Sequence, residues 1–122
     1  MDRDRLYALY IDKTIQSNNQ YRILDIAPGN SLRKFLKSKP NVSYRSCDLF
    51  MEEVDDKGVD ITNMNIYGDN SFDIFICSHV LEHVPDDRKA MRELYRILKP
   101  GGFGIAMVPI VTRLKNIDED ST

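Results

Sequence analysis

The chain has 122 residues, enough for one domain with a buried core. Its 17 basic and 19 acidic side chains leave a net charge of −2, which offers no electrostatic pull on nucleic acid or an anionic membrane surface. No apolar run approaches the roughly 20 residues of a membrane span, and the opening MDRDRLYALY is too charged for the apolar stretch of a secretion signal.

Asp2 to Gln20 is expected to be a helix. Tyr7, Tyr10, Ile11, Thr14 and Ile15 recur at helical spacing, and Ser17-Asn18-Asn19 ends the pattern. The helix reads either as packing or as a flap over a ligand pocket. Tyr21–Leu32, YRILDIAPGNSL, then sets the organisation of the chain. Its apolar run is a strand, Ala27-Pro28-Gly29-Asn30 is a turn, and Ser31 is expected to cap a helix to about Ser38. Leu32, Phe35 and Leu36 should face in, with Arg33, Lys34 and Lys37 out. A dinucleotide loop needs G-x-G-x-x-G, whose glycines let backbone amides reach a pyrophosphate. This turn has only Gly29, Pro28 has no N–H, and Asp25 would repel phosphate. The same acid suits an ammonium or a sulfonium, so the loop disfavours NAD and admits S-adenosylmethionine. Taken alone, it is also explained as a plain strand-to-helix corner.

Pro40-Asn41 turns the chain into a second strand, Val42–Cys47, with Asp48 at its tip. An acid there can accept both hydroxyl hydrogens of a ribose, or can cap the segment that follows. Leu49–Gly58 is short and acidic, too short for a regular crossover helix plus strand, so an irregular connection is expected. Asp60 can meet an adenine amino group with Ile61 against the ring, or can be a solvated loop acid. Asn65 to Ser71 is turn-rich, and Phe72–Cys77 is nearly all apolar, as a strand buried on both faces should be. Its exception, Asp73, should bond backbone at the strand's start. Ser78–Val84 leaves this strand at the ligand side. His79-Val80-Leu81-Glu82-His83 superficially matches a zinc-peptidase pattern, but these are the only histidines and no further ligand is near, so no metal is expected.

Asp86 or Asp87 should cap the next helix, with Ala90, Met91, Leu94, Ile97 and Leu98 buried. Arg88, Lys89, Arg92 and Glu93 form its solvated face. Lys99 is placed in the last turn, and Pro100-Gly101-Gly102 stops it. Phe103–Pro109 is the last strand, and Ile110 to Thr122 becomes a polar tail. Cys47 and Cys77 form no C-x-x-C pair, which points to reduced, buried thiols in a cytoplasmic protein. If one strand separates them they lie about 9–10 Å apart, too far for a disulfide.

These elements predict an α/β fold: a Rossmann-like, doubly wound, mainly parallel sheet with helices on both faces. RILDIAPG, the acid after VSYRSC, VDIT and NSFDIFICSHVLEHVPDDRKAMRELYRILKPGG follow one another over about Tyr21–Pro109. In these stretches the chain resembles the class I S-adenosylmethionine-dependent methyltransferases of the type 11 kind. The resemblance implies that Asp25, Ala27 and Gly29 hold the methionine end of the cofactor and Asp48 its ribose. It places Asp60 and Ile61 at the adenine, and Ser78 and His79 along the cofactor facing the acceptor. His79 or His83 becomes the base if the acceptor is a hydroxyl or amine. The product would be S-adenosylhomocysteine and the acceptor is unnamed.

Two departures accompany the resemblance. The family's D-x-G-x-G reads Asp25-Ile26-Ala27-Pro28-Gly29, which crowds the backbone at Ala27 and implies weaker binding. The family's sheet has seven strands, and the sequence accounts for all but the last two. It is therefore expected to be a single shortened methyltransferase domain: a helix over 1–20, a core over 21–109 and a tail over 110–122. A bare outer strand would favour a homodimer. The alternative function is a non-catalytic cofactor-binding or protein-interaction module on the same fold.

Overall fold

The apolar runs in YRILDI and FDIFIC become neighbouring parallel strands of a five-stranded sheet. The computed structural model describes residues 3–78 and 85–107. Its elements are α1 (Arg3–Thr14), β1 (Tyr21–Ile26), α2 (Asn30–Lys37), β2 (Val42–Asp48), β3 (Asp56–Lys57), β4 (Phe72–Ser78), α3 (Asp87–Ile97) and β5 (Leu98–Met107). The strand order is β3-β2-β1-β4-β5, and all four pairings are parallel. The order reverses between β1 and β4, and open α/β sheets bind ligands at the carboxyl ends beside such a reversal.

Strand alternation divides the core into two layers. Ile23, Ile74 and Ile76 face Tyr7 and Ile11 of α1 and Leu32 and Leu36 of α2. Leu24, Ile26, Cys47, Phe75 and Cys77 face Ala90, Leu94 and Ile97 of α3. The second layer also takes Val59, Ile61, Met64 and Tyr67. These come from the chain between β3 and β4, so a loop covers part of the sheet where a crossover helix would otherwise lie. The irregular connection read from Leu49–Gly58 is present, with β3 reduced to two residues. Cys47 and Cys77 are both buried and form no disulfide, each in register with Ile26 from opposite sides.

Several boundaries differ from expectation, each for a local reason. α1 stops at Thr14, and the Asn41 amide then donates to the carbonyls of Gln16 and Asn19, holding a turn where more helix was expected. α2 begins at Asn30 with Gly29 at the cap position and no capping side chain, so Ser31 lies inside the helix. Asp86 does cap α3, accepting from Lys89 N–H at 3.1 Å. α3 ends at Ile97 because Leu98 is already extended and pairs with Phe72. The register then jumps to Phe103 opposite Ile74, so Lys99-Pro100-Gly101-Gly102 is an irregularity within β5 and not the end of a helix. Pro100 disfavours a helical Lys99, and Gly101 supplies the left-handed φ of 85°. Asp73 accepts from the Arg22 backbone N–H at 2.8 Å, as read from its place at the strand's start.

Candidate functional site

The turn after β1 and the acid after β2 lie side by side. Asp25 is in register with Ser46 and Ile26 with Cys47, and the Ala27 N–H donates to the Cys47 carbonyl at 2.9 Å. Asp48 therefore follows directly beside the Ala27 turn. Asp25 shares the α1/α2 side of β1 with Ile23. It is 1% exposed and accepts from the Tyr44 hydroxyl at 2.7 Å. A carboxylate this buried needs donors or an opposite charge around it. Tyr44 is one such partner, and the Arg33 guanidinium of α2 reaches the same hydroxyl. Burial first, and the adjacent Asp25 charge second, push the Tyr44 hydroxyl well above its ordinary pKa, so it stays a donor.

Arg33 was expected to be solvated. It is half-buried, and its Nε is enclosed without a hydrogen-bond acceptor among the described residues. Neither Tyr44 nor Arg33 was singled out from the sequence. Tyr44 is in register with Ile23, two residues before Asp25, a neighbour relation visible only once strand pairing is known.

Ala27 adopts φ 55°. This left-handed conformation suits glycine, so the alanine occupies the position where the expected motif carries its first glycine. Pro28 is buried, and Gly29 is exposed at the start of α2, where its carbonyl accepts from Arg33 N–H at 3.1 Å. Asp48 is half-buried, and its Oδ2 accepts from the N–H groups of Phe50 (2.8 Å) and Met51 (2.7 Å). That contact is the capping role weighed above, and it orients the carboxylate at the strand's tip.

Beyond β3 the chain makes two successive turns, Asp60 to Asn63 and Met64 to Tyr67. Asp60 is exposed and accepts from both the N–H and the hydroxyl of Thr62, and these bonds hold its carboxyl below the usual range. Asp60 lines a recess of about 290 Å³ with Lys57, Gly58, Val59, Asn63, Asn65 and Ile66. Ile61 is 5% exposed and packs into the core layer under α3. Ser78 ends β4 at the same sheet edge, in register with Met107. His79 and His83 lie outside the described residues. Among the described residues, no group of three or more His, Cys, Asp or Glu side chains is placed to hold a metal ion. No helix among them is long and apolar enough to cross a membrane.

The arrangement is a row of carboxylates at the carboxyl ends of adjacent parallel strands. It can accept hydrogen bonds from hydroxyl and amino groups and balance a positive charge. It offers little to a phosphate.

Comparison with known proteins points the same way. The model of the methyltransferase domain family matches residues 9–106. The ubiquinone/menaquinone biosynthesis C-methyltransferase UbiE of Rickettsia bellii is 29% identical over 125 residues, covering 84% of this chain and 50% of that protein. The chain thus spans about half the length of this curated relative. A Methanococcus maripaludis protein, crystallised as a candidate S-adenosyl-L-methionine-dependent methyltransferase, superposes with a TM-score of 0.63 at 23% identity. It covers 80% of this chain and 53% of its own. The CurJ carbon methyltransferase superposes with a TM-score of 0.68 at 15% identity, covering 84% of this chain and 34% of its own. These two likenesses are of fold.

Proposed function

Because the chain belongs to the class I S-adenosylmethionine-dependent methyltransferase family, we propose that it holds S-adenosylmethionine at the carboxyl ends of β1 and β2 and transfers its methyl group to an acceptor. The observation that carries this reading is the pairing of Asp25 and Asp48 on neighbouring strand ends around a turn without the glycine-rich phosphate-binding pattern. The enclosed Arg33 Nε, without an acceptor among the described residues, lies on the same side. Asp25 and Arg33 together offer opposite charges to the zwitterionic amino-acid end of the cofactor.

Asp48, oriented by the Phe50 and Met51 amides, accepts from the ribose hydroxyls. Asp60 accepts from the adenine amino group, and Ile61 anchors its loop in the apolar layer beneath. Ala27 and Gly29 shape the turn against the methionine end, with Ser78 at the end of β4 and His79 next in sequence lining the cofactor. When bound, S-adenosylmethionine supplies an electrophilic methyl on a sulfonium, which in-line transfer to a nucleophile converts to a neutral thioether. The protein's own task is alignment and exclusion of water, and alignment of two reactants supplies several kcal/mol or more of barrier lowering. His79 or His83 accepts the proton that a hydroxyl or amine acceptor must lose.

Isothermal titration with S-adenosylmethionine and S-adenosylhomocysteine tests the site. Micromolar binding, weakened about tenfold by Asp48→Ala, is the expected result, equivalent to about 1.4 kcal/mol. No heat and no thermal shift with either ligand would leave the non-catalytic alternative. The outer edge of β5, unpaired among the described residues, is where a second copy would dock. Light scattering on the same samples should then show mass rising with concentration, and a constant monomer mass would remove the dimer.

A further inference from the structure

α3 carries a guanidinium that makes three hydrogen bonds to one loop and two to its own helix. Arg96 Nη1 donates to the Tyr67 carbonyl and to Asp69, each at 2.9 Å. Its Nη2 donates to the Met64 carbonyl at 2.8 Å. Nε and Nη2 grip the Glu93 carboxylate at 3.0 Å each, and Glu93 in turn accepts from the Met64 N–H at 2.6 Å. Glu93 had been expected on the solvated face of α3 and is instead half-buried. The Arg96 bonds first, and the Met64 N–H as a further contribution, hold its carboxyl below the usual range.

The loop so gripped, Gly58 to Ser71, has no regular structure of its own. Its ends are held by the Val59, Asn70 and Ser71 N–H bonds to the Asp48, Arg96 and Ile97 carbonyls, and its buried Val59, Ile61, Met64 and Tyr67 side chains pack under α3. Another attachment is Tyr67, whose hydroxyl donates to Asp56 at 2.6 Å. Met64 is fully buried, so the Arg96–Glu93 pair locks the loop at its most buried residue. Asp60 stands one turn before that lock.

We infer that Arg96, together with Glu93, is a positioning residue for the cofactor pocket, setting the Asp60–Ile61 segment through Met64. This inference rests on the cofactor reading above. A guanidinium serving several fixed acceptors at once is not replaceable by an ammonium, whose three donors radiate from one point. A purely structural role would lower stability and leave the affinity of the folded protein untouched.

The test compares Arg96→Gln and Arg96→Lys with Ile11→Val, a core substitution on the opposite face of the sheet. S-adenosylhomocysteine affinity is measured by titration calorimetry well below each variant's melting temperature. Exchange of the Met64 amide is followed by NMR. The expected result is affinity weakened about threefold to tenfold in Arg96→Gln, with partial recovery in Arg96→Lys and faster Met64 exchange. Ile11→Val should lower the melting temperature with affinity unchanged. Arg96 variants that melt lower but bind as wild type would overturn the inference and leave the cofactor reading intact. Wild-type protein that binds neither S-adenosylmethionine nor S-adenosylhomocysteine would overturn both, even with the Met64 amide protected.

Discussion

Ala27 places a methyl group where the backbone turns left-handed, at φ 55°. Such a residue costs about 1–2 kcal/mol relative to a right-handed one. The turn is nevertheless held, because the Ala27 N–H is bonded to the Cys47 carbonyl and Pro28 is buried beside it. Ala27→Gly removes the strain but adds freedom to the unfolded chain worth about 0.4–1 kcal/mol. The expected net is a stabilisation of about 0.5–1 kcal/mol, read as a higher urea midpoint with an unchanged slope. An unchanged or lower midpoint would mean that the neighbouring contacts have already absorbed the strain. The crowding at this position was legible in the sequence as a missing glycine. Its conformational cause was not, since a φ angle has no signature in composition. Arg33, Tyr44 and Glu93 were missed for a related reason: each makes its telling bond to a residue brought near only by strand pairing or loop packing.

At the level of elements, the register of β4 against β5 depends on one absent side chain. Gly104 is in register with Phe75, and a Cβ there would lie 2.0 Å from the Phe75 ring. That ring is buried in the layer under α3, so moving it aside would disturb the core. Gly104→Ala should destabilise the protein by about 1–3 kcal/mol, seen as a lower melting temperature. Gly104→Ala combined with Phe75→Leu should recover part of the loss, and no recovery would place the cost elsewhere. β1, β2, β4 and α3 were readable because their apolar periods and flanking Pro, Gly and Asp residues agree with their final packing. The start of β5 was not. Leu98 continues the apolar stripe of α3, and only its pairing with Phe72 moves it into the sheet. The family and its doubly wound sheet were legible together, since the same motifs that mark the strand exits also mark the lineage.

Across the whole molecule, the two faces of the sheet are held by different chemistry. The apolar stripes of the amphipathic helices α1 and α2 cover one face, with the buried Asp25–Tyr44 bond among them. The opposite face is shared between α3 and a loop fastened by carboxylates. Asp56 accepts from Arg45 at 2.7 and 2.6 Å and from Tyr67 at 2.6 Å, and the Arg45 bonds first hold its carboxyl below the usual range. Glu93 is depressed by Arg96 in the same way. A carboxyl lowered in the folded state stabilises that state fully above its unfolded pKa, and the contribution is lost as pH falls through the folded value. The melting temperature should therefore be level from neutral pH to about 5 and fall once pH passes below about 4. Amides of residues 59–71 should lose exchange protection before those of α1 and α2. Uniform loss in both layers would show that the loop and the helices open as one unit.

The central place of β1 has a consequence for how the chain is made. Its two flanks are filled at very different moments of synthesis. β2 follows closely, but the contact between the Arg22 N–H and Asp73 spans 51 residues of sequence. Until Phe72–Ser78 has left the ribosome, Ile23, Leu24 and Ile26 form an apolar strand with one edge unpaired. In the nascent chain, YRILDI is accordingly open to chaperone capture and to mispairing.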